Sequence, residues 1–460
     1  MSGGSTLCDA ATEQTTTVGD GPGTDNVAIT VQPGATITTG TDSAISVDTD
    51  ATIHLLNDAN VINDSDAPGG TGRWDAGQNT IEFNNDSTLL ILPGARVLSQ
   101  GPGNSNEAIN VIGAGNSIIN YGLIQGTVSS AIWFQPAVGN NSIDNYGTIS
   151  ILTAGGTAIG SSGTTLSIIN HDGGAIIGNV NMGSGNDSLT LESGSVLNGN
   201  INGGGGINQL ILSGSTGSTD TLDLLSGNIS NFQSLTKNGA GEWLLTGQLA
   251  TTIANVTVND GTLALAGNND YVGNTNINGG TLAAQADNAF SPNSAYIIAA
   301  VGAMDLNGFS QTIPSVSNAG VINLNGTAGT ELIVTGNYAG NNGRLNFNAK
   351  LSDDASDSER LIVQGDTSGD TTVTVNNAGG SGAQTIDGIE LISVTGASDG
   401  EFIQSGRIVA GAYDYTLERG TGANDANWYL NSSTVAEPPG AEPEPIPDPP
   451  SRPGRYGGAS

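Results

Sequence analysis

The feature that most constrains this chain is an internal repeat of about 25 residues. A segment of alternating character reads ITVQPGATI from Ile29, LLILPGARV from Leu89 and SIINYGLI from Ser117. One aligned apolar position recurs with spacings of 21 to 27 residues, apart from a single spacing of 36. The aligned residues are Val31, Leu55, Ile91, Ile118, Ile143, Ile168, Leu191 and Leu212. A period of this length is typical of architectures in which successive repeats stack.

A second alternating motif precedes most copies by about ten residues. It reads SAISV from Ser43, NTIEF from Asn79 and SAIWF from Ser130. Each repeat is therefore predicted to hold two short strands, separated by turns rich in Gly, Asn and Asp. One repeat cannot bury its own apolar face, whereas stacked repeats bury a continuous core and pair strand on strand. The sequence predicts an all-β fold, a right-handed parallel β-helix.

The composition suits such a fold and narrows the possible partners. The chain has 70 Gly and only 10 basic residues against 43 acidic ones, which gives a net charge of −33. A field of that sign repels nucleic acid and anionic membranes, so no nucleic-acid partner is expected. No apolar run reaches the length that a membrane-spanning helix needs. Because Cys8 is the single cysteine, a disulfide scaffold is excluded.

The turn after one strand of each repeat carries a column of aligned polar residues. Three successive repeats place an asparagine there, at Asn120, Asn145 and Asn170. Stacked amide side chains can hydrogen-bond along a solenoid, and Asn tolerates the left-handed backbone of tight turns. We predict that these residues form a structural ladder, with a ligand-binding role as the alternative.

The single spacing of 36 residues marks an insertion of roughly eleven residues within the loop 63–79. Insertions in a solenoid project from one face, which is often the binding face. The loop contains Arg73, Trp74 and Asp75, and we predict that this trio binds a ligand. The alternative is that Trp74 only anchors the loop on the solenoid.

Alternation within SAIWF places Trp133 on the outside of its strand. The preceding repeats align Ser46, Glu82 and Asn110 with it. An exposed aromatic residue with polar neighbours is a suitable platform for a sugar ring or a protein hot spot. We therefore predict that Glu82, Asn110 and Trp133 belong to a ligand-binding surface. The alternative is that Trp133 packs under the loop 135–141.

Beyond the first half of the chain the repeat changes character. LTKNGAGEWLLTG spans 235–247, and NDGTL at Asn259 returns as NGGTL at Asn278. These phrases resemble the passenger-associated repeat of bacterial autotransporters. The segment 332–377 and the closing NWYL of 427–430 resemble the pertactin-type autochaperone segment of that family. The chain is thus similar to an autotransporter passenger of the AIDA-like, self-associating adhesin type.

The repeat and the resemblance together imply a domain organisation. The expected parts are a polar N-terminal segment (1–25), a β-helix with coils of about 25 residues and the inserted loop (26–234), a β-helix with passenger-associated repeats (235–330), an autochaperone-like C-terminal cap (331–434) and a Pro-rich linker towards an outer-membrane barrel (435–460). The resemblance implies a secreted or cell-surface adhesin of the Gram-negative outer membrane, active in attachment, aggregation or biofilm formation. The implied partners are a host glycan or extracellular-matrix protein, the same passenger on other cells, and the chain's own outer-membrane barrel.

Motifs for catalysis or metal binding are scarce, so no catalytic residue, metal or cofactor is predicted. The two histidines, His54 and His171, have no nucleophile at motif spacing. Because β-helices are also the scaffold of pectinolytic enzymes, a glycan lyase or hydrolase is the alternative function, and hydrolysis would need two acids across a groove. The segment 183–191 resembles one unit of a calcium roll, which makes calcium binding at Asp187 a further hypothesis.

Overall fold

The chain folds into a parallel β-solenoid in which each coil stacks on the one before, which confirms the all-β, parallel β-helix prediction. The computed structural model describes residues 4–9, 13–40, 42–65, 79–101, 106–224 and 228–434. Between Ala28–Val31 and Ile201–Asn202, each coil adds one strand to each of three parallel sheets, named sheets 1, 2 and 3 here. The helix of the described ranges is the short 3-10 turn Gly422–Asn424, and nothing in them is a helix that could cross a membrane.

The three sheets run side by side along the solenoid. The strands of sheet 1 are Ser5–Cys8, Ala28–Val31, Thr52–Leu55, Thr88–Ile91, Ser117–Asn120, Asn140–Asn145, Thr165–Asn170, Ser188–Glu192, Gln209–Ser213, Ser234–Lys237, Asn255–Val258, Gly273–Ile277, Ser294–Ile298, Ser315–Asn318, Tyr338–Ala349, Thr367–Asn377 and Glu401–Gln404. Those of sheet 2 are Thr36–Thr39, Asn60–Asn63, Arg96–Ser99, Leu123–Gly126, Thr148–Ile151, Ala175–Ile177 and Val196–Asn198. Those of sheet 3 are Ile45–Ser46, Ile81–Phe83, Ile109–Val111, Ile132–Phe134, Thr157–Ser161, Asn179–Asn181, Ile201–Asn202 and Ile229–Ser230.

The later coils keep sheet 1 and place a second row of strands beside it. This row consists of Thr219–Asp223, Glu242–Thr246, Thr262–Leu265, Thr281–Ala284, Ala303–Asp305 and Val321–Asn323. The long strand Tyr338–Ala349 joins the two rows, because its first half pairs with Ser315–Asn318 and its second half with Val321–Asn323. The remaining strands form sheet 4, which consists of Gln311–Ile313, Glu331–Val334, Arg360–Val363, Ile389–Val394, Ile408–Ala410, Tyr413–Arg419 and Trp428–Thr434.

The prediction of two strands per repeat was wrong for the first coils, which have three. The segment ITVQPGATI holds two of them, Ala28–Val31 in sheet 1 and Thr36–Thr39 in sheet 2. The chain turns between them at Gly34, whose φ of 70° lies in the left-handed region that glycine adopts without strain. The turn therefore sends the second half of the motif into a sheet of its own.

The core consists of apolar columns that run along the solenoid. Ile118 pairs with Ile143, Ile143 pairs with Ile168, and all three side chains are fully buried. Full burial of an isoleucine side chain contributes roughly 1.5–3 kcal/mol relative to exposure. Because residues of a strand alternate in direction, the neighbouring positions remain partly exposed. The repeat period in the sequence is thus the length of one coil.

Antiparallel strands end the parallel stacking at the C-terminal side. Tyr413–Arg419 pairs antiparallel with Trp428–Thr434, which in turn pairs antiparallel with Ile389–Val394. Trp428 is buried, and the guanidinium carbon of Arg419 lies 4.5 Å from the centre of its ring. The predicted C-terminal cap is therefore built around a buried aromatic residue. The predicted Pro-rich linker 435–460 lies outside the described residues.

The three asparagines of the predicted ladder lie in one buried column at the end of sheet 1. Nδ2 of Asn120 donates to Oδ1 of Asn145, and Nδ2 of Asn145 donates to Oδ1 of Asn170, both at 2.8 Å. Oδ1 of Asn120 also accepts the backbone N–H of Gly122 at 3.0 Å. In the next coil a side chain at Gly147 would place its Cβ 2.2 Å from the carbonyl oxygen of Gly122. These contacts hold the corner between sheets 1 and 2.

Replacing Asn145 by Ala should destabilise the solenoid, because it removes the partners of Asn120 and Asn170 within a buried column. An unsatisfied buried polar group costs about 1–3 kcal/mol, so the free energy of unfolding should fall by about that amount. Chemical denaturation followed by circular dichroism measures the change. Asn140→Ala, at an exposed position of the same strand, is the matched control. An equal effect of both substitutions would contradict a structural role of the ladder.

Candidate functional site

The predicted insertion leaves the solenoid between sheets 2 and 3. Nδ2 of Asn63 donates to the carbonyl oxygens of Asp42 at 2.9 Å and of Asn79 at 3.4 Å, so the two ends of the loop are held close together. Nδ2 of Asn79 in turn donates to Oε2 of Glu82 at 3.2 Å. The insertion thus emerges beside the outer face of sheet 3.

The three predicted binding residues of the insertion fall within 66–78, a stretch outside the described residues. Arg73, Trp74 and Asp75 therefore stay predictions. What the described residues establish is only that the loop begins and ends next to Glu82.

The other predicted binding residues form one column on the outer face of sheet 3. Ser46 pairs with Glu82, Glu82 with Asn110, Asn110 with Trp133, and Trp133 with Gly160. We name this column the sheet 3 strip. Its alignment follows the register that the sequence predicts, because one coil of the solenoid corresponds to one repeat.

Two members of the sheet 3 strip are less accessible than the sequence predicts. Glu82 is 5% exposed and Asn110 is 3% exposed, although both point away from the core. Oε1 of Glu82 accepts the Ser46 hydroxyl at 2.6 Å, and Oδ1 of Asn110 accepts Nε2 of Gln135 at 3.2 Å. Alternation fixes the direction of a side chain but not the neighbours that cover it.

Trp133 is the half-exposed member of the strip. A Cβ added to Gly160 would lie 2.5 Å from Cε3 and 2.6 Å from Cζ3 of the indole, so the ring lies directly over this glycine. Because Gly160 has no side chain, the ring can rest against the backbone of the next coil. The part of the ring that stays exposed can contact a ligand by stacking.

The surroundings of the strip carry negative charge. Among the residues of the described part that precede Lys237, Arg96 is the one Lys or Arg. Burial raises the pKa of the Glu82 carboxyl, while hydrogen bonds from Ser46, Asn79 and Ser43 oppose the shift. Burial also raises the pKa of Glu107, whose carboxyl accepts the Ser129 hydroxyl at 2.6 Å. Such a surface favours neutral or cationic ligands over anionic ones.

Sequence reasoning missed an aromatic stack at the turn beside the Asn ladder. Tyr121, Tyr146 and His171 each follow a ladder residue, so coil stacking brings their rings together. The ring centroids are 4.5 Å apart for the tyrosine pair and 3.8 Å apart for Tyr146 and His171, with nearly parallel planes. The recurring Asn-aromatic pair in the sequence could have revealed the stack. Because the faces cover one another, the stack presents mainly ring edges to solvent.

The described residues bring no catalytic group together around the histidines. Nε2 of His171 lies 3.2 Å from Oδ1 of Asp144, and Nδ1 lies 3.2 Å from Oε2 of Glu192. His54 lies elsewhere in sheet 1, paired with Leu90. No group of three or more His, Cys, Asp or Glu side chains could hold a metal ion in the described part of the chain.

Cys8 ends the first strand of sheet 1 and is half-buried. Burial raises the pKa of its thiol. Since the thiolate is the reactive form, this position disfavours thiol chemistry.

Asp187 lies in a second column of side chains that cap backbone amides of neighbouring coils. Its Oδ1 accepts the N–H of Leu166 at 2.7 Å, and its own N–H donates to Oδ1 of Asn208 at 2.8 Å. At Asn208, Nδ2 donates to the carbonyl oxygens of Gly203 and Gly205, both at 2.9 Å. Asp187 has no such donor when ionised. Its Oδ2 is buried without a hydrogen-bond partner among the described residues.

Burial raises the pKa of Asp187 to about 6, although the hydrogen bond from Leu166 opposes the shift. The folded pKa lies above that of the unfolded chain, so the folded state holds this proton more tightly. Its contribution to stability is fully present below about pH 4 and is lost as the pH rises to about 6.

Asp187→Asn should therefore stabilise the solenoid at pH 8 by about 1–3 kcal/mol, since the amide supplies a donor where the carboxylate has none. At pH 4 the substitution should change the free energy of unfolding little. Urea denaturation of both proteins at the two pH values measures the difference. A stabilisation that is the same at pH 4 and pH 8 would contradict this account.

Family models match the second half of the chain. The model described as Autochaperone Domain Type 1 matches residues 312–417. The model of the passenger-associated-transport-repeat matches 235–265 and 258–284. These ranges agree with the segments in which the sequence resembles autotransporters.

Known proteins extend the similarity into the first half. The Brucella suis protein named adhesin BmaC autotransporter is 30% identical over 379 residues, which is 77% of this chain and 10% of that protein. The Escherichia coli autotransporter adhesin AIDA-I is 47% identical over 109 residues, 23% of this chain and 8% of its own. The E. coli protein YuaQ is 52% identical over 130 residues, 28% of this chain and 10% of its own. The chain thus spans a tenth or less of each of these relatives.

The parallel solenoid, the transport repeats and the autochaperone domain occur in one order along one chain. Two of the relatives just described are named autotransporters. The chain therefore belongs to the passengers of bacterial autotransporters, which Gram-negative cells display on, or release from, their outer membrane.

Proposed function

We propose that this chain is the adhesive part of a cell-surface adhesin and that it attaches to a host glycan or matrix protein through the sheet 3 strip. The observation that carries the proposal is Trp133, a half-exposed indole that lies over Gly160 in line with Asn110 and Glu82. The names of two relatives, the adhesins BmaC and AIDA-I, support the general role. The identity of the receptor is part of the proposal and not of those names.

The chemistry of the strip favours a ligand with hydroxyl or amide groups. Indole rings pack against the apolar face of a sugar ring, and Tyr or Trp anchors are common protein hot spots. Beside the ring, Asn110 and Gln135 are linked by a side-chain hydrogen bond that leaves amide donors for a ligand. Because Glu82 and Glu107 lie on the same side, a sialylated or sulfated ligand would meet repulsion.

We infer a binding role and not a catalytic one for this face. Hydrolysis of a glycan needs an acid and a second carboxylate placed on either side of the scissile bond. Here the Glu82 carboxyl is held by Ser46 and Asn79, and the Glu107 carboxyl by Ser129, each inside its own coil corner. The glycan-processing alternative therefore has less support than adhesion.

A second mode of adhesion, between copies on neighbouring cells, has its own support. The outer face of sheet 1 carries aligned hydroxyl side chains, among them Ser117, Ser142 and Ser167. Such columns offer hydrogen bonds at every coil along a rod. We propose that lateral contacts of this kind contribute to aggregation and biofilm formation.

Replacing Trp133 by Ala should weaken receptor binding by about tenfold or more, since an indole anchor typically contributes 2 kcal/mol or more. Glycan and matrix-protein arrays identify the receptor, and surface plasmon resonance then compares the variants. Tyr121→Ala, which removes an aromatic residue from another face, is the control and should bind normally. Full binding by the Trp133 variant would dispose of the strip as the binding site.

Self-association should strengthen as salt is added. Two chains of net charge −33 repel each other, and salt screens that repulsion more than it weakens short-range hydrogen bonds. Light scattering of the purified chain against sodium chloride concentration gives the trend. Aggregates that dissolve as the salt concentration rises would rule out this form of contact.

A further inference from the structure

A polar pocket lies at the N-terminal end of the sheet 3 strip, on the far side of Glu82 from Trp133. Its volume is about 270 Å³. Glu82 and Ser46 contribute from the strip, Ser43 from the approach to sheet 3, and the segment 17–22 forms the opposite wall. The pocket is therefore shared by the first coil and the two that follow.

The wall of the pocket is held in place by backbone hydrogen bonds. The N–H of Val18 donates to the carbonyl of Ala44 at 2.9 Å, and the N–H of Ser46 donates to the carbonyl of Val18 at 3.0 Å. The N–H of Gly21 donates to the carbonyl of Ser46 at 3.1 Å. Gly19 has a φ of 92°, and a Cβ there would lie 2.0 Å from the carbonyl oxygen of Ser46. Glycine is thus required for this close approach, and the pocket is preformed.

The floor of the pocket has unused hydrogen-bond acceptors. Each carboxylate oxygen of Glu82 accepts one bond, from the Ser46 hydroxyl at 2.6 Å and from Nδ2 of Asn79 at 3.2 Å. A carboxylate offers about four acceptor sites, so about two remain. Ser43, which is 2% exposed, lies beside the same carboxyl, and its Oγ has no partner of hydrogen-bond geometry among the described residues.

The pocket has negative charge and no cation of its own. Asp20 and Asp42 add exposed carboxyl groups at its rim. None of the described residues that line it is Lys, Arg or His. A carboxylate that is removed from water needs a charged or hydrogen-bonding partner to offset the cost of desolvation.

We propose that this pocket binds a primary ammonium group, carried by an amino sugar or by a lysine side chain, with Glu82 as its ion-pair partner. An ammonium group has three donors and no acceptor, which matches the free acceptor sites of Glu82 and the lone pairs of Ser43 Oγ. A metal ion matches less well, because the carboxyl groups of the described residues are not grouped closely enough to hold one.

This inference deepens the proposed function, because the pocket lies on the same face as Trp133. The two can fail separately. Trp133→Ala tests whether the strip binds a receptor, whereas the experiment below uses small amines and no receptor.

The test is a calorimetric titration of the full chain with glucosamine and with Nα-acetyl-lysine amide. N-acetylglucosamine and the Nε-acetylated lysine derivative are the neutral counterparts. Both amines should bind more tightly than their acetylated forms, and the tighter of the two identifies the natural source of the ammonium group. Glu82→Gln, which keeps the shape of the side chain, should weaken amine binding by about tenfold or more.

Glu107→Gln is the matched control, since Glu107 is another buried acid that does not line the pocket, and it should bind like the unmodified chain. If Glu82→Gln fails to fold, Ser43→Ala, which leaves every charge in place, should still weaken amine binding. Equal binding of amines and acetylated forms would overturn the proposal. So would amine binding that Glu82→Gln leaves unchanged, or binding of calcium ions at Glu82 in place of amines.

Discussion

The structure depends on the parallel backbone pairing of each coil with the coils before and after it. In sheet 1, Ser142 to Asn145 pair in register with Ser117 to Asn120 on one side and with Ser167 to Asn170 on the other. No coil can satisfy its own backbone groups or bury its own apolar side chains, so stability belongs to the stack. Length, register and the direction of every side chain follow from this pairing.

Corners are where such a stack is most exposed to error, because the backbone must turn three times in each early coil. Two columns of Asx side chains address the problem at different corners. The Asn120–Asn145–Asn170 ladder bonds side chain to side chain, and the column of Asp187 and Asn208 bonds side chain to backbone. The aromatic stack of Tyr121, Tyr146 and His171 follows the first column at the same spacing. Any residue type that can bond or stack with its own copy one coil away stabilises the rod repeatedly.

The sequence predicts what repeats and misses what occurs once. The register of Glu82, Asn110 and Trp133 and the burial of Ile118 and Ile143 follow from period and alternation alone. The third strand was missed because a Pro-Gly turn divides one apparent motif into two strands.

Contacts between segments far apart in sequence were beyond reach for another reason. The burial of Glu82 and the pocket wall at Val18 to Gly21 come from the packing of the first coil against sheet 3, and no period marks it. The fold of a solenoid is thus readable from sequence, whereas its binding surfaces depend on the places where the repeat is interrupted.

These interruptions gather on the outer face of sheet 3. The insertion emerges beside Glu82, the first coil forms a wall against Ser46, and Trp133 lies over Gly160. Hydrogen exchange of the backbone amides with and without bound receptor tests most directly whether this face is the binding surface. Slower exchange confined to the residues around 79–83, 107–111 and 130–135 is the expected result. Protection that appears only in sheet 4, or along the aromatic stack, would contradict the account.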